Sequence, residues 1–218
     1  CYKLTKQDLW LATVGCVYDF EIPDFINEFK EQYPNLLPSK TNDQEEVLYK
    51  TKLGELIRII NFNLKGKTED VKKSLNVLQR IETPYEILNQ ETPRGKFIFN
   101  RAKKISKEYR SLLEEAKKTK PKDGIVLFLY PARKISLTTE LAGELMHIYK
   151  DKIIIVGRER NDQIKLSIRA RCNISIALSK ALKDIEGYGG GHEKACGANI
   201  AKKDFYRFLD NFKEALKK

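Results

Sequence analysis

The sequence contains few of the residues that build zinc sites or disulfide frameworks. Its 218 residues include four cysteines and two histidines, and no two cysteines form a CxxC pair. These numbers argue against a zinc finger, and the spacing gives no sign of a secreted fold held by disulfides. We therefore expect the cysteines to be reduced, small and largely buried.

Long apolar runs are also missing. The longest runs, such as IIIVG at 153–157, are far shorter than the roughly 20 residues that span a bilayer. The opening residues do not have the pattern of a signal peptide, and we expect none. Hydrophobic residues nevertheless make up 41% of the chain, which is enough for a buried core. The sequence predicts a soluble, cytoplasmic protein with no membrane partner.

Acidic residues are outnumbered by basic ones. Lysine and arginine together number 41 against 30 aspartates and glutamates, which gives a formal net charge of +11. Such an excess favours polyanions, because binding releases counterions and the field steers the approach. A lysine-rich solvated surface, as in many thermophile proteins, is the alternative. Charge alone leaves both interpretations open.

Three segments differ in composition. Residues 1–24 contain LWLATVGCVYD, whose pattern predicts a buried helix that delivers Asp19 into a cleft. Residues 25–119 are polar and rich in lysine, and apolar residues three or four apart predict helices there and no strand. Residues 120–218 follow a turn-rich break at Lys120–Gly124. The middle segment is therefore predicted to be a helical connector or insertion.

The third segment has the pattern of an α/β module. Strands are predicted at GIVLFLY (124–130), IIIVG (153–157), QIKLSIRA (163–170) and near 195–200. Amphipathic helices are predicted between them and at the end of the chain. A glycine-rich turn lies before the last strand. The predicted fold is α/β, with the order β-α-β-β-α-β-α, preceded by a mostly helical connector.

A run of glycines carries the strongest chemical signal. The stretch GYGGGHEKACGA includes Gly189, Gly190, Gly191 and His192. Three consecutive glycines are entropically costly, so they indicate positive φ or close approach of a ligand. Successive N–H groups in such a turn can hold a phosphate, and His192 can donate a hydrogen bond to the same anion. A plain loop between a helix and a strand is the alternative.

The preceding strand offers further donors. In QIKLSIRAR the apolar residues alternate with polar ones, so one face of the strand should be polar. Hydroxyl and guanidinium groups on one face suit a phosphate or a carboxylate, because arginine binds such groups through two hydrogen bonds. An ordinary half-exposed strand would give the same alternation. The predicted polar face consists of Lys165, Ser167, Arg169 and Arg171.

These motifs resemble those of DHHA1 domains. GGGHEKACGA is similar to the GGGHxxAxG signature of that family, and Ser167–Arg169 resembles its SxR strand. One capped helix separates the two motifs, as it does in the family, and LTTELAGEL resembles the family's small-residue helix. Glu193 departs from the pattern, because many relatives have proline there. The resemblance implies a DHHA1-like mixed sheet over residues 120–218.

The beginning of the chain resembles another part of the same proteins. LWLATVGCVYDF is similar to the fourth motif of the DHH catalytic domain, a helix that ends in G-x-x-x-D. The aspartate is a metal ligand in that family, and this role would fall on Asp19. Without the resemblance, Asp19 would be a solvated residue at a helix end. The connector, with LGELIRIINFNLKGK, resembles archaeal RecJ-like exonucleases associated with the replicative helicase.

The resemblance implies a single-strand exonuclease that acts on DNA or RNA with two Mn²⁺ or Mg²⁺ ions. Asp19 would bind one ion, and His192 would be catalytic. The remaining residues of the implied site, which would grip the substrate phosphate, are Ser167, Arg169, Arg171, Gly189, Gly190 and Gly191. Replication-helicase components are implied as further partners.

The sequence lacks the Asp-His-His triplet that gives the DHH family its name. Asp19 alone cannot hold two ions, so the other ligands are expected on a DHH-bearing half, either fused or a separate chain. The chain begins with Cys1 and its one methionine is Met146, which favours a missing upstream segment. The apolar helix before Asp19 should pack against that half.

Three other functions remain open. A phosphodiesterase for short oligonucleotides or cyclic dinucleotides would share the same motifs, although compact relatives of that kind usually lack so large a connector. A non-catalytic scaffold of the replicative helicase is the second. The editing-type domain of alanyl-tRNA synthetases is the third, but its glycine motif lacks the context of His192.

Overall fold

The computed structural model describes residues 2–217, and its regular structure changes along the chain from helices to a mixed sheet. Packing divides the chain into two units, of which the first ends at Lys107 and the second begins at Glu108. Within residues 2–217, no helix is both long enough and apolar enough to cross a membrane.

The regular elements described in the first unit are helices, which agrees with the predicted mostly helical part of the fold. The predicted limits of the connector, 25–119, stay a prediction. The division between the units falls inside the last of these helices. The helices are α1 (Tyr2–Thr5), α2 (Leu9–Tyr18), α3 (Ile26–Gln32), α4 (Gln44–Lys50), α5 (Lys52–Asn63), α6 (Thr68–Leu78), α7 (Pro84–Leu88) and α8 (Pro93–Ala116).

Helix α2 is apolar around most of its circumference, and such a helix normally lies in a core. Leu11 and Tyr18 nevertheless remain 40% and 41% exposed. The helix was expected to present its apolar residues to a missing half, and this expectation needs correction, because most of them already pack inside the first unit. The buried residues of α2 are Leu9, Trp10, Thr13, Val14 and Val17.

A buried glutamate joins the start of α7 to the start of α8. Thr83 and Glu86 cap α7 reciprocally. The Glu86 carboxylate accepts hydrogen bonds at 2.7 Å from the backbone N–H of Glu82 and from the Thr92 hydroxyl. Burial by itself would raise the pKa of Glu86, but these hydrogen bonds and the nearby Arg94 outweigh it and hold the pKa below its ordinary value.

The second unit contains a five-stranded mixed sheet in the spatial order β1-β2-β3-β5-β4. Strands β1 and β2 pair in parallel, and the other neighbours pair antiparallel. The elements are β1 (Ile125–Pro131), α9 (Thr138–Ile148), β2 (Ile153–Arg160), β3 (Gln163–Arg169), α10 (Ser175–Ala181), β4 (Gly187–His192), β5 (Ala195–Ala201) and α11 (Phe205–Leu216). The predicted α/β fold is confirmed.

One strand differs from the predicted order. The glycine-rich segment was expected to be a turn, but Gly187–His192 is strand β4 at the edge of the sheet. The observed order is therefore β-α-β-β-α-β-β-α. Glycine has low strand propensity and no side chain to bury, so this segment is a strand because β5 supplies a ladder of hydrogen bonds.

The two faces of the sheet are covered differently. Ile164, Leu166 and Ile168 of β3 belong to one hydrophobic core with α10 and α11. Helix α9 packs against β2 and β3. Tyr130 of β1 points away from this core, and its hydroxyl accepts the Leu137 backbone N–H at 3.0 Å just before α9 begins. Helix α9 therefore lies on the opposite face of the sheet. We call this second side of the sheet the α9 face.

We expect Glu86→Gln to lower the free energy of unfolding of the first unit by about 1–3 kcal/mol at neutral pH, because buried donors lose a charged acceptor. A carboxylate with a lowered folded-state pKa stabilises the fold above its unfolded-state value, about 4.3. This contribution disappears as the pH falls through the folded-state pKa. The difference between wild type and variant should therefore shrink in acid.

Urea unfolding followed by the fluorescence of Trp10 measures this difference, because Trp10 is the one tryptophan of the chain and is buried in the first unit. Glu31→Gln is the matched control, since Glu31 is an exposed glutamate of α3. An equal loss of stability at about pH 7 and about pH 3 would contradict the assigned role of Glu86.

Candidate functional site

The register of three strands brings the SxR and GGGH motifs together. Ser167 in β3 lies opposite Gly197 in β5, and Gly197 lies opposite Gly190 in β4. Directly opposed residues share a face of the sheet. Ser167, Gly197 and Gly190 therefore form a continuous strip on the α9 face, which we call the open floor.

A second strip runs beside the open floor. Arg169 lies opposite Ala195, and Ala195 lies opposite His192. These residues are two positions along their strands from the open floor, so they point to the same face at a distance of roughly 7 Å. We call Arg169, Ala195 and His192 the cationic strip. The predicted neighbours Ser167, Arg169 and His192 thus lie on one face.

The glycines of the open floor leave space above the sheet. A Cβ built on Gly190 would meet no described atom within 4 Å, and one built on Gly197 would approach only the Leu166 carbonyl oxygen, at 3.5 Å. Gly190 and His192 are exposed, whereas Ser167 is only 5% exposed. Facing glycines on an uncovered sheet surface allow a ligand to approach the backbone closely.

The neighbouring glycines have a different role. A Cβ on Gly189 would come within 2.8 Å of the Gly197 carbonyl oxygen, and one on Gly191 within 2.4 Å of the Ala195 carbonyl oxygen. Gly191 also has a φ of 146°. The expected nest of consecutive N–H groups is corrected, because Gly189 and Gly190 lie in a paired strand. Gly189 and Gly191 instead permit β4 to pack closely on β5.

The turn between β4 and β5 is fastened to the loop after β3. The Ala170 N–H donates to the Lys194 carbonyl at 3.1 Å, and the Ile174 N–H donates to the Glu193 carbonyl at 2.7 Å. Both bonds use backbone oxygens, so the departure from proline at Glu193 leaves this anchor available. The bonds hold the ends of β3 and β4, and with them the cationic strip, in a fixed relation.

Arg169 is half-buried at the end of β3. Its Nη1 donates to the Ile168 carbonyl at 3.1 Å. Burial raises the pKa of the Cys196 thiol, and the positive charge of Arg169 opposes that rise. The Cys196 thiol also donates to the His192 carbonyl at 3.2 Å. The Arg169 guanidinium therefore acts electrostatically on Cys196, whose thiol is bonded to the His192 carbonyl.

The cysteines differ in burial more than expected. Cys196 is buried, but Cys16 is half-buried and Cys172 is exposed, and all three are free thiols. Cys1 lies outside the described residues. The prediction of largely buried cysteines is correct for Cys196 alone among those described.

Arg171 does not continue the polar strand face. Strand β3 ends at Arg169 because its partner β5 begins at the opposing Ala195. Arg171 is exposed in the following loop, and its Nε donates to the Lys150 carbonyl at 2.9 Å. The expectation that Arg171 lies on the same strand face as Ser167 is therefore corrected.

Asp19 lies at the end of α2, as the sequence predicts. It is the C-terminal cap, its N–H donates to the Gly15 carbonyl at 3.2 Å, and it is exposed. An exposed carboxylate at the negative end of a helix dipole suits one hard cation. No group of three acidic, histidine or cysteine side chains among residues 2–217 could hold a metal ion. Asp19 thus fits one ligand position of a larger metal site.

Two residues of this face were not predicted to belong to the site. Gly197 opposes both Ser167 and Gly190, and Tyr188 precedes the glycine triplet on the same face. The last glycine of the GGGHxxAxG pattern was a signal for Gly197. An aromatic residue inside a glycine run was the signal for Tyr188.

Comparison with known proteins identifies a domain. Residues 132–218 match the model of the DHHA1 domain family. No curated protein matches the sequence. Among solved structures, the chain is similar to RecJ from Thermus thermophilus, solved in complex with Mg²⁺. The identity is 14% and the TM-score is 0.50, over 94% of this chain and 30% of RecJ.

Two further structures share the fold. One is the pGpG-specific phosphodiesterase PggH from Vibrio cholerae, with 17% identity and a TM-score of 0.57 over 89% of this chain and 68% of PggH. The other is CDC45 from Entamoeba histolytica, with 5% identity and a TM-score of 0.52 over 89% of this chain and 44% of CDC45. At these identities the similarity establishes the fold, and the chain spans only part of each protein. The predicted DHHA1 domain is confirmed over residues 132–218, and the predicted likeness to RecJ is confirmed as a likeness of fold.

The strand register predicts opposite outcomes for two adjacent glycines. We expect Gly189→Ala to lower the free energy of unfolding by about 1–3 kcal/mol, because its Cβ would approach the Ala198 Cβ to 2.9 Å and the Gly197 oxygen to 2.8 Å. Gly190→Ala is the matched control and should change it by less than about 0.5 kcal/mol. Thermal denaturation followed by circular dichroism measures both, and equal losses would contradict the register.

Proposed function

We propose, on the premise that residues 132–218 are a DHHA1 domain, that this chain is the substrate-gripping part of a metal-dependent phosphodiesterase that removes nucleotides from single-stranded nucleic acid. The observation that supports the proposal is the juxtaposition of Ser167, Arg169 and His192 around the open floor. The formal net charge of +11 is consistent with a polyanionic substrate.

Each residue has a distinct role in the proposed grip. Arg169 binds a phosphate with the parallel donors of its guanidinium. Ser167 lies at the nearly buried β3 end of the open floor and offers one hydroxyl there. At the β4 end, Gly190 lets the sugar-phosphate backbone lie close to the sheet. Arg171, which lies in the loop after β3, is proposed to contact a more distant phosphate.

His192 is assigned the catalytic position of this face. It is exposed at the end of β4 in the same strip as Arg169. A donor beside the reacting phosphate contributes most when charge develops in the transition state. His192 is therefore proposed to raise turnover more than affinity.

The proposed metal chemistry requires residues beyond those described. Asp19 is assigned as one ligand of a divalent ion, Mn²⁺ or Mg²⁺, which polarises the phosphodiester and activates water when bound. The other ligands are assigned to a DHH-bearing half, fused or separate. The exposed Leu11 and Tyr18 of α2, together with Phe20 at 46% exposure, are the surface we assign to contact with that half.

A dinucleotide substrate is the second candidate. The fold similarity to PggH, which is a pGpG-specific phosphodiesterase by name, favours it. The lysine-rich helical connector favours longer strands, since it adds positive charge to which an extended polyanion can bind. Hydrolysis rates of the full-length protein on strands of two, five and twenty nucleotides separate the two candidates. If only the dinucleotide is hydrolysed, the second candidate replaces the exonuclease proposal.

We expect Arg169→Ala to weaken binding of a single-stranded oligonucleotide by about tenfold, because a charge-assisted phosphate contact is lost. The log–log dependence of affinity on salt should flatten by about 0.7. Fluorescence anisotropy over a salt series without divalent ions measures both effects. Arg110→Ala is the control, since Arg110 is an exposed arginine of α8. Identical affinity and slope for wild type and Arg169→Ala would remove Arg169 from the site.

We expect Asp19→Asn in the full-length protein to reduce Mn²⁺-dependent hydrolysis by about 100-fold or more, because an under-coordinated ion misplaces the attacking water. Binding of single strands without metal should stay unchanged. Glu21→Gln is the control, since Glu21 is another exposed carboxylate two residues further along. Full hydrolysis by Asp19→Asn, or an equal loss in Glu21→Gln, would overturn the assignment of Asp19 as a ligand.

A further inference from the structure

A third strip of residues lies beside the open floor, on the side away from Arg169. Lys165 in β3 lies opposite Asn199 in β5, and Asn199 lies opposite Tyr188 in β4. These residues are two positions along their strands from the open floor, so their side chains point to the same face. We call Lys165, Asn199 and Tyr188 the aromatic strip.

Tyr188 is the unusual member of this strip. It is 73% exposed on a strand whose other residues are glycines and His192. Tyr109 and Tyr130 of the same unit are each 2% exposed, whereas Tyr206 in α11 is 74% exposed, so exposure alone does not distinguish Tyr188 and its position on the sheet does. The ring of Tyr188 projects from the sheet beside the two glycines of the open floor, which have no side chains.

The neighbouring amide is held in a defined orientation. The Asn199 side-chain amide donates to the Gln163 side-chain oxygen at 2.8 Å. This bond ties Asn199 back along β3, in the direction away from the open floor. A fixed amide thus lies opposite Tyr188 in the register, and Lys165 adds an exposed positive charge at the far end of the strip.

The three strips correspond, in their order along the sheet, to the phosphate, the sugar and the base of a nucleotide. The cationic strip suits a phosphate, and the open floor admits the sugar backbone close to the sheet. The aromatic strip lies roughly 7 Å beyond the floor, one two-residue step along the strands. An exposed aromatic ring at that place suits the flat face of a base, and base–aromatic stacking is strong and tolerant of sequence.

We propose that Tyr188 is the stacking platform for a nucleobase whose phosphate is bound by Arg169 and His192. The inference rests on the proposed function and deepens it, because it makes the base a part of the recognised substrate. Stacking accepts every base, so the site selects nucleic acid over other polyanions without selecting a sequence. A sugar-phosphate strand without bases would therefore be a poor ligand.

A purely structural role for Tyr188 makes a different prediction. An aromatic residue on an edge strand can stabilise neighbouring glycines by covering them. In that case Tyr188→Ala would lower the melting temperature and weaken all ligands by the same factor. A stacking platform instead predicts a loss confined to ligands that carry bases.

The test compares two oligomers of equal length and charge, one of deoxythymidine and one of abasic deoxyribose phosphate, both labelled for fluorescence anisotropy. The chain should bind the base-bearing oligomer about fivefold to a hundredfold more tightly. Tyr188→Ala should abolish this ratio and Tyr188→Phe should retain it. Tyr206→Ala in α11 is the matched control, since Tyr206 is 74% exposed, and it should leave the ratio unchanged.

The outcomes separate this inference from the function on which it rests. If Arg169→Ala weakens both oligomers while Tyr188→Ala keeps the wild-type ratio, the base platform is wrong and the phosphate grip stands. A lower melting temperature of Tyr188→Ala with equal losses for both oligomers also overturns the platform. If wild type binds neither oligomer, the proposed function and the platform both fail.

Discussion

The antiparallel pairing of β4 with β5 is the constraint on which the candidate site depends. Side chains alternate between the two faces of a sheet. A shift of β4 by one residue would therefore move the side chains that point to the α9 face onto the other face, and the reverse. In the observed register Gly189 and Gly191 lie against the backbone of β5, while Tyr188 and His192 point to the α9 face. A shifted β4 would press these two large side chains onto a backbone that leaves no room for a Cβ. The alternation of glycines therefore specifies the register and the site together.

The same glycines leave β4 with little hydrophobic stabilisation of its own. All its residues are exposed, so the strand is held by the ladder to β5, by α10, and by the turn whose carbonyls accept from Ala170 and Ile174. Segments with few buried apolar contacts open at a lower free energy than the core. A ligand that bridges Arg169 of β3 and His192 of β4 would bind only the closed sheet and would stabilise it by mass action. The edge strand is thus well suited to respond to a bound ligand.

How far the sequence predicts this structure depends on which residues carry a pattern. The strand containing Ile164 was predictable because apolar and polar side chains alternate, and the position of Asp19 was predictable from the end of an apolar helix. Strand β4 was not, because glycines have no side chains to alternate and the partner strand alone makes them a strand. Arg171 was misplaced because alternation continues in the sequence after pairing has ended. Tyr188 was not predictable as a site residue because its place beside the glycines and His192 follows from the strand register.

Gripping a phosphodiester and hydrolysing it make opposite demands on charge. The grip needs cations and hydrogen-bond donors, a role that we propose for Arg169 and the glycine-rich face, whereas a metal site needs clustered carboxylates to neutralise the ions. The chain has a net charge of +11, and its described part offers Asp19 without a cluster of further ligands. In the proposed enzyme these demands are met by different parts of the protein. Binding energy gained along the nucleic-acid strand, away from the reacting phosphate, can then be used to position that phosphate against ions held elsewhere.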